Sequence, residues 1–180
     1  MTRALLLIDV QQDYFPGGAF PLHEPEAAAA ATARLLAAFR ASDEPVFHVR
    51  HAGEPDSGFL VRDTPGAEFH PSVAPEDGEE VVTKASPNGF LDTDLDARLR
   101  HDGVRDLVVA GMMTSMCVDA TVRTASDLGY RVTLVADACA CPALEHAGRK
   151  VPAPDVQTAF LAALGSAYAT VAAADEVLAG

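Results

Sequence analysis

The 180-residue chain has no tryptophan, only three cysteines, and half as many basic residues (13) as acidic ones (26). The net charge of −13, without any cluster of lysine and arginine, makes nucleic acid and anionic membrane surfaces poor partners, because like charges repel. A small, odd number of cysteines argues against a disulfide scaffold and predicts a reducing, cytoplasmic location. No apolar run reaches the ~18 residues of a membrane span. The run at 4–8, which Asp9 ends, is too short for an export signal.

Six short runs rich in Val, Leu and Ile predict β-strands, and helix-forming segments separate them. Strands that are apolar almost throughout are typical of parallel sheets covered on both faces, and their alternation with helices indicates right-handed β-α-β units. We therefore predict an α/β protein with a single domain over residues 1–180, a three-layer α/β/α Rossmann-like fold around a mostly parallel six-stranded sheet. The predicted strands are 3–9, 45–51, 79–84, 106–111, 131–137 and 168–172, and the predicted helices are 26–41, 92–102, 114–128, 153–164 and 173–179.

The segment 52–78 interrupts this alternation, because glycine, proline and acidic residues recur in it without helical spacing. Long loops in compact domains commonly act as lids or binding loops. We predict a functional loop here. The sequence leaves open whether it is a lid of its own or is completed by a neighbouring subunit.

Three chemically useful side chains follow three separate predicted strands. Asp9 follows the first apolar run, Lys84 ends the third, and Cys117 lies in the turn and helix start after "DLVVAG". Ligands of open parallel sheets bind outside the carboxyl ends of the strands. We therefore expect the carboxylate, the ammonium and the thiol to meet at one edge of the sheet.

This combination predicts acyl transfer through a thioester. The first turn of a helix and a neighbouring ammonium both lower the pKa of a thiol, so we expect a lowered pKa for Cys117. Asp9 can accept the thiol proton and return it to a leaving amine. Backbone N–H groups in "GMMTSMC" can stabilise a developing oxyanion.

Each residue also has a structural explanation. Free cysteines are among the most buried residues, Asp9 could cap a helix, and Lys84 could be a surface charge. Their coincidence at three strand ends favours the catalytic interpretation. A redox role for Cys117 with Cys139 or Cys141 stays as an alternative, although the spacing of "CAC" is not that of a redox pair and predicts packing residues.

The same segments resemble the cysteine hydrolases of the isochorismatase-like superfamily, which includes nicotinamidases, N-carbamoyl amidases and isochorismatases. The matching stretches are "LLLIDVQQDYF", "VVTKASPNGFLDTDLDARLR" and "DLVVAGMMTSMCVDATVRTASDLGYRVTLVADACA". The resemblance implies Cys117 as nucleophile, Asp9 as proton acceptor and donor, and Lys84 as the cation that stabilises the thiolate. It also implies a cis peptide between Met112 and Met113, with the N–H groups of Met113 and Cys117 in the oxyanion hole, and a homo-oligomer.

Departures from the family pattern narrow the substrate. In "VFHVRHAGEP", His51 and Gly53 stand where metal-dependent nicotinamidases carry an aspartate and a histidine, and His48 lies on the opposite strand face from His51. We therefore predict no metal and no cofactor, and hydrolysis of a small-molecule amide C–N bond. The alternatives are isochorismatase or nicotinamidase chemistry and a non-catalytic binding protein. Gln12 is a candidate for orienting substrate, and the pocket candidates are Phe15, His51, Phe59, Phe69 and Met113.

Overall fold

Five α-helices and eight strands lie within residues 2–179, the part of the chain that the computed structural model describes. The strands are β1 (Thr2–Ile8), β2 (Val46–His51), β3 (Glu80–Lys84), β4 (Val104–Met112), β5 (Arg131–Ala140), β6 (Leu144–His146), β7 (Arg149–Val151) and β8 (Thr170–Ala172). The helices are α1 (Pro25–Ala41), α2 (Leu95–His101), α3 (Asp119–Asp127), α4 (Ala153–Ala167) and α5 (Ala174–Ala179).

Six of the strands form one sheet in the order β3-β2-β1-β4-β5-β8, and every pairing between neighbours is parallel. This arrangement confirms the predicted α/β fold. The chain winds outward from β1 to β3 on one side and from β4 to β8 on the other, so the strand order reverses between β1 and β4. A crevice opens outside the carboxyl ends of the strands at such a reversal.

Two separate hydrophobic cores explain why the strands are apolar almost throughout. In β1, Leu5 and Leu7 pack with α1 and α5, whereas Leu6 and Ile8 pack with α2, α3 and α4. Successive side chains of a strand point to opposite faces, so a strand covered on both faces needs apolar residues at nearly every position. The sheet is therefore the middle of three layers, and its carboxyl edge is where side chains can leave the cores.

Close approach of β1 and β4 fixes the backbone beside that edge. Gly111 has φ +133°, and a Cβ there would overlap the carbonyl oxygen of Ile8, so only glycine fits. Immediately after it, the peptide bond between Met112 and Met113 is cis. The chain then enters a π-helical turn, Thr114–Val118, which leads into α3.

The main differences between the predicted and the observed elements concern two helices and a hairpin. The helix predicted over 114–128 begins with the π-helical turn, and α2 is shorter than the predicted 92–102. The antiparallel hairpin β6–β7 was not predicted, and all of its strand residues are exposed. The loop 52–78 contains only two short 3-10 turns, Pro65–Ala67 and Pro71–Val73. Across residues 2–179, no helix combines the length and apolar character that a membrane crossing requires.

Candidate active site

The three strand-end residues form one buried cluster. Lys84 Nζ donates a hydrogen bond to Asp9 Oδ2 at 2.6 Å and another to Cys117 Sγ at 3.4 Å. Their exposed fractions are 0% for Asp9, 2% for Lys84 and 4% for Cys117. The structure therefore brings together the carboxylate, the ammonium and the thiol, as the sequence predicts from their positions.

Backbone geometry explains how each side chain reaches the cluster. Asp9 has a left-handed conformation, φ 48°, directly after β1, which aspartate tolerates better than most residues, and its N–H donates to Val49 O at 2.9 Å. Lys84 is the last residue of β3, and its carbonyl accepts a hydrogen bond from the N–H of Ala52. Cys117 lies in the π-helical turn, where the N–H groups on either side of it, from Met116 and Val118, both donate to Met113 O.

The electrostatics of the thiol differ from the sequence-based prediction. Burial raises the pKa of Cys117 well above its ordinary value, the negative charge of Asp9 raises it further, and Lys84 only partly offsets both effects. The predicted lowering of this pKa is therefore wrong for the structure described here, because the prediction omitted burial and the carboxylate. At neutral pH the resting group is a thiol that still carries its proton.

Asp9 is placed to take that proton. Its Oδ2 accepts from Lys84, whereas its Oδ1 is buried and has no hydrogen-bond partner within residues 2–179. Burial lowers the pKa of the Lys84 ammonium, but the negative charge of Asp9 and the hydrogen bonds to Asp9 and Cys117 outweigh burial and raise it. Lys84 thus stays protonated and can stabilise negative charge on either neighbour.

His51 is the predicted pocket residue that contacts the cluster. Its Nδ1 lies 3.4 Å from Lys84 Nζ, and the side chain is partly buried. Burial, followed by the positive charge of Lys84, lowers the pKa of His51. A neutral imidazole therefore stands beside the ammonium at neutral pH.

The predicted aromatic pocket residues have different surroundings. Phe15 is buried and stacks on His70, with ring centroids 3.9 Å apart. Phe59 packs against Tyr14 and Phe20. Phe69 lies edge-on to His48, 5.7 Å between centroids, so its contact is on the face of β2 opposite His51.

Met113, the last pocket candidate, is 3% exposed and follows the cis peptide.

Gln11, not Gln12, makes the hydrogen bonds that connect the segments next to the site. The Gln11 side chain is fully buried, and its Nε2 donates to His51 O at 2.9 Å and to Ala67 O at 2.7 Å. Its Oε1 accepts from the His51 N–H at 2.8 Å. Gln11 thereby joins the end of β1 to the end of β2 and to the loop 52–78. The two side chains are identical, so the sequence alone does not show which of these adjacent glutamines makes the contacts.

Two further residues were missed by the sequence analysis. Asp13 accepts hydrogen bonds from the N–H groups of Ala19 and Leu60, which anchors the turn after β1 and the loop 52–78. Tyr14 is 1% exposed, and burial, followed by the negative charge of Asp9, raises the pKa of its hydroxyl. The signal in the sequence that could have identified them is an acid followed by an aromatic residue shortly after a strand that is apolar throughout.

The other two cysteines behave as packing residues. Burial raises the pKa of Cys139 to about 12 and that of Cys141 to about 11, and all three cysteines are free thiols. Cys141 Sγ donates to Ala153 O at the start of α4. Across residues 2–179, His, Cys, Asp and Glu side chains nowhere gather in a group of three that could hold a metal ion.

Comparison with known proteins identifies the family of the chain. The family model described as "Isochorismatase domain" matches residues 3–176. A crystal structure from Oleispira antarctica, described as that of an isochorismatase hydrolase, superimposes with a TM-score of 0.97 at 50% identity and covers 99% of this chain and 97% of its own. The isochorismatase-family protein YddQ of Bacillus subtilis is 49% identical over 172 residues, which is 95% of this chain and 96% of YddQ.

Two relatives carry names that specify a reaction. A streptothricin hydrolase of Streptomyces noursei is 40% identical over 98% of this chain, which spans 61% of that longer protein. A maleamate amidohydrolase of Pseudomonas putida is 36% identical over 73% of this chain and 69% of its own length. The matched family model covers nearly the whole chain, and with it the elements that carry Asp9, Lys84 and Cys117. The chain belongs to the isochorismatase family of hydrolases.

Proposed function

We propose that the chain is a cysteine hydrolase that cleaves the C–N bond of a small-molecule amide through a thioester on Cys117. The observation that carries the proposal is the buried contact of Lys84 with both Asp9 and Cys117, which leaves one oxygen of Asp9 without a partner. The names of the two relatives, an amidohydrolase and a streptothricin hydrolase, support the same class of substrate.

In the acylation step, the neutral thiol is deprotonated as it attacks. Cys117 Sγ bonds to the amide carbon while its proton passes to Asp9, and the carbonyl oxygen becomes an oxyanion. N–H groups of Met113 and Cys117 accommodate that oxyanion, a role typically worth about 2.7–4 kcal/mol per donor. Lys84 stabilises the negative charge that moves from Asp9 towards the reacting atoms.

Collapse of the tetrahedral intermediate, which completes acylation, reverses the direction of the proton. The C–N bond breaks as Asp9 returns the proton to the leaving nitrogen, which departs as ammonia or an amine and leaves a thioester. Water then attacks the thioester carbon and gives a proton to Asp9, which passes it to the departing thiolate of Cys117. The carboxylic acid leaves, and the resting thiol is restored.

Substitution of Cys117 tests the proposal directly. Cys117→Ala should lower turnover on the order of 10⁴-fold or more, as for nucleophiles that act as part of a unit, in a panel of small amides scored by ammonia or amine release. Cys141→Ala is the matched control, since it removes a buried thiol outside the cluster, and it should retain turnover. Peptide mass spectrometry after rapid acid quenching should find the acyl adduct on Cys117.

Two outcomes would contradict the mechanism. Amide hydrolysis that persists in Cys117→Ala would exclude a thioester intermediate on Cys117. Hydrolysis of a vinyl ether but of no amide, at the same rate in Cys117→Ala as in the wild type, would favour isochorismatase chemistry instead.

A further inference from the structure

Lys84 Nζ lies among three acceptors, and His51 supplies one of them. An ammonium group has three N–H bonds and no acceptor of its own. Within residues 2–179, Nζ is 2.6 Å from Asp9 Oδ2, 3.4 Å from Cys117 Sγ and 3.4 Å from His51 Nδ1. The three N–H bonds thus have three partners, and His51 is the one to which the acylation and deacylation steps give no role.

The register of the sheet holds His51 beside Lys84. His51 ends β2, Lys84 ends β3, and the two residues are directly paired in the parallel ladder. Because side chains alternate between the two faces of a strand, paired residues of neighbouring strands lie on the same face. Gln11 fixes the backbone of His51, since it accepts from the His51 N–H and donates to the His51 carbonyl. The imidazole therefore meets the ammonium from a fixed backbone position.

The protonation state of His51 suits an acceptor. Lys84 can only donate, so Nδ1 must present its lone pair, and the one proton of a neutral imidazole belongs on Nε2. Burial, followed by the charge of Lys84, lowers the pKa of His51, which keeps the ring neutral at pH 7. The ring also has a hydrogen bond to the backbone of Ser86, which offsets part of this lowering and is the partner expected for an Nε2 proton.

Asp9 and Cys117 compete for the ammonium on unequal terms. A carboxylate oxygen is a strong acceptor for a cation, whereas sulfur is a weak one. Asp9 Oδ1 belongs to the carboxylate that already contacts Nζ, and it is buried without a partner in the part of the chain described. An N–H of Lys84 that lost its acceptor would therefore turn towards Oδ1. That turn would occupy the oxygen that is to receive the thiol proton, and it would draw the ammonium away from Cys117.

We propose that His51 is a positioning residue of the cluster: its Nδ1 accepts the third N–H of Lys84, which directs another N–H to Cys117 and keeps Asp9 Oδ1 free. The inference rests on the proposed thiol chemistry and deepens it, because it names what keeps the proton acceptor of that reaction available. His51 contacts no reacting atom in this role, so its effect passes through Lys84.

Two substitutions of similar shape test the acceptor. Asparagine places Oδ1 where histidine has Nδ1, whereas leucine places a methyl group there, and both lose the far side of the ring. His51→Leu should lower kcat by roughly 10- to 100-fold, the effect of losing a hydrogen bond to a charged group, with KM little changed. His51→Asn should retain most of the wild-type kcat. The substrate is the small amide of the panel that the wild type hydrolyses fastest.

Labelling of Cys117 with iodoacetamide needs no substrate, so it separates the positioning role from amide hydrolysis. His51→Leu should slow the labelling at neutral pH, because the ammonium moves away from the sulfur. His51→Asn should label at the wild-type rate, with Cys141 as the internal control in both variants.

Nitrogen NMR of the histidine rings tests the wild type itself. At neutral pH, His51 should have a bare Nδ1 and a protonated Nε2, and its signals are those that disappear in His51→Asn. This measurement decides the question if His51→Leu does not fold.

The outcomes distinguish the two proposals. Slower labelling in His51→Leu without hydrolysis of any amide would overturn the proposed function and keep the positioning role. Equal kcat and equal labelling in the two variants, or a proton on Nδ1 in the wild type, would overturn the positioning role alone. A rise in KM without a loss of kcat in His51→Leu would also overturn it, since His51 would then contact the substrate.

Discussion

The Cys117 thiol is flanked by two opposite charges and is only 4% exposed. At that position three effects compete: burial and Asp9 raise its pKa, and Lys84 lowers it. Burial is the largest of them, so the site holds a thiol rather than a preformed thiolate. A buried thiol that carries its proton reacts slowly with oxidants and alkylating agents, and in the proposed mechanism it becomes a nucleophile when that proton moves to Asp9.

The two charged neighbours should therefore change thiol reactivity in opposite directions. Asp9→Asn removes a charge that raises the pKa of Cys117, so iodoacetamide should label Cys117 faster than in the wild type between pH 7 and 9. Lys84→Met should slow the labelling. Asp9→Asn should nevertheless lower turnover by about 10²- to 10⁴-fold, because the proton acceptor is lost.

Peptide mass spectrometry across pH 5–10 measures this labelling at each cysteine, and Cys141 serves as the internal control in every sample. Slower labelling of Cys117 in Asp9→Asn would show that Asp9 does not oppose ionisation of the thiol. Normal turnover in that variant would exclude Asp9 as the proton acceptor.

At the scale of elements, one side chain connects three parts of the site. Gln11 satisfies both backbone groups of His51 and the carbonyl of Ala67, so the end of β2 and the loop 52–78 share one anchor. Since His51 also contacts Lys84, the position of this loop bears on the buried cluster.

Gln11→Ala should loosen that loop without unfolding the sheet. Leaving buried backbone groups without partners costs about 1–3 kcal/mol each, so hydrogen exchange of residues 52–69 should accelerate while β4 and β5 stay protected. The matched control is Gln12→Ala, since within residues 2–179 no side-chain hydrogen bond of Gln12 connects these segments. Equal exchange in both variants would contradict the role of Gln11 as the anchor.

The sequence predicts the sheet well because the strands are apolar almost throughout. It predicts that Asp9, Lys84 and Cys117 lie together because each of them stands at or just after the end of a strand. It does not reveal the π-helical turn, since the buried positions Thr114, Cys117, Val118, Thr121, Val122 and Ala125 have the spacing of an ordinary α-helix. The hairpin β6–β7 is missed because three exposed residues per strand carry no apolar pattern. Phe69 is misplaced because sequence does not show which face a loop residue contacts.

At the scale of the whole molecule, the carboxylate of Glu79 links α1, β2 and the segment before β3. Glu79 accepts hydrogen bonds from Arg40 of α1, from the Glu76 N–H and from the fully buried His48 of β2, if the histidine donates its Nε2 proton. The network connects α1, β2 and the start of β3 with the loop 52–78.

The predicted homo-oligomer and cytoplasmic location stay predictions.

This network makes stability depend on pH in two windows. Burial lowers the pKa of His48 below its ordinary 6.5, so the unfolded chain binds that proton first and stability declines as pH falls below 6.5. Burial opposes ionisation of Glu79, but hydrogen bonds from Arg40, Glu76 and His48 outweigh it and lower the pKa of Glu79 from 4.5 to about 2. The contribution of Glu79 is therefore complete above pH 4.5 and is lost as pH falls towards 2.

Glu79→Gln should separate this contribution from those of all other acids. At pH 7 the substitution should lower the free energy of unfolding by about 1–3 kcal/mol, the range for a buried hydrogen-bonded charge. The difference from wild type should shrink steadily between pH 4.5 and 2, since protonation then removes the same charge from the wild type. Urea denaturation at a series of pH values measures it. Glu76→Gln is the control, because the Glu76 side chain also pairs with Arg40 but is 69% exposed, and exposed pairs contribute about 1 kcal/mol or less. A difference for Glu79→Gln that stays constant from pH 7 to pH 2 would mean that its charge does not stabilise the fold, and that the side chain acts there through shape alone.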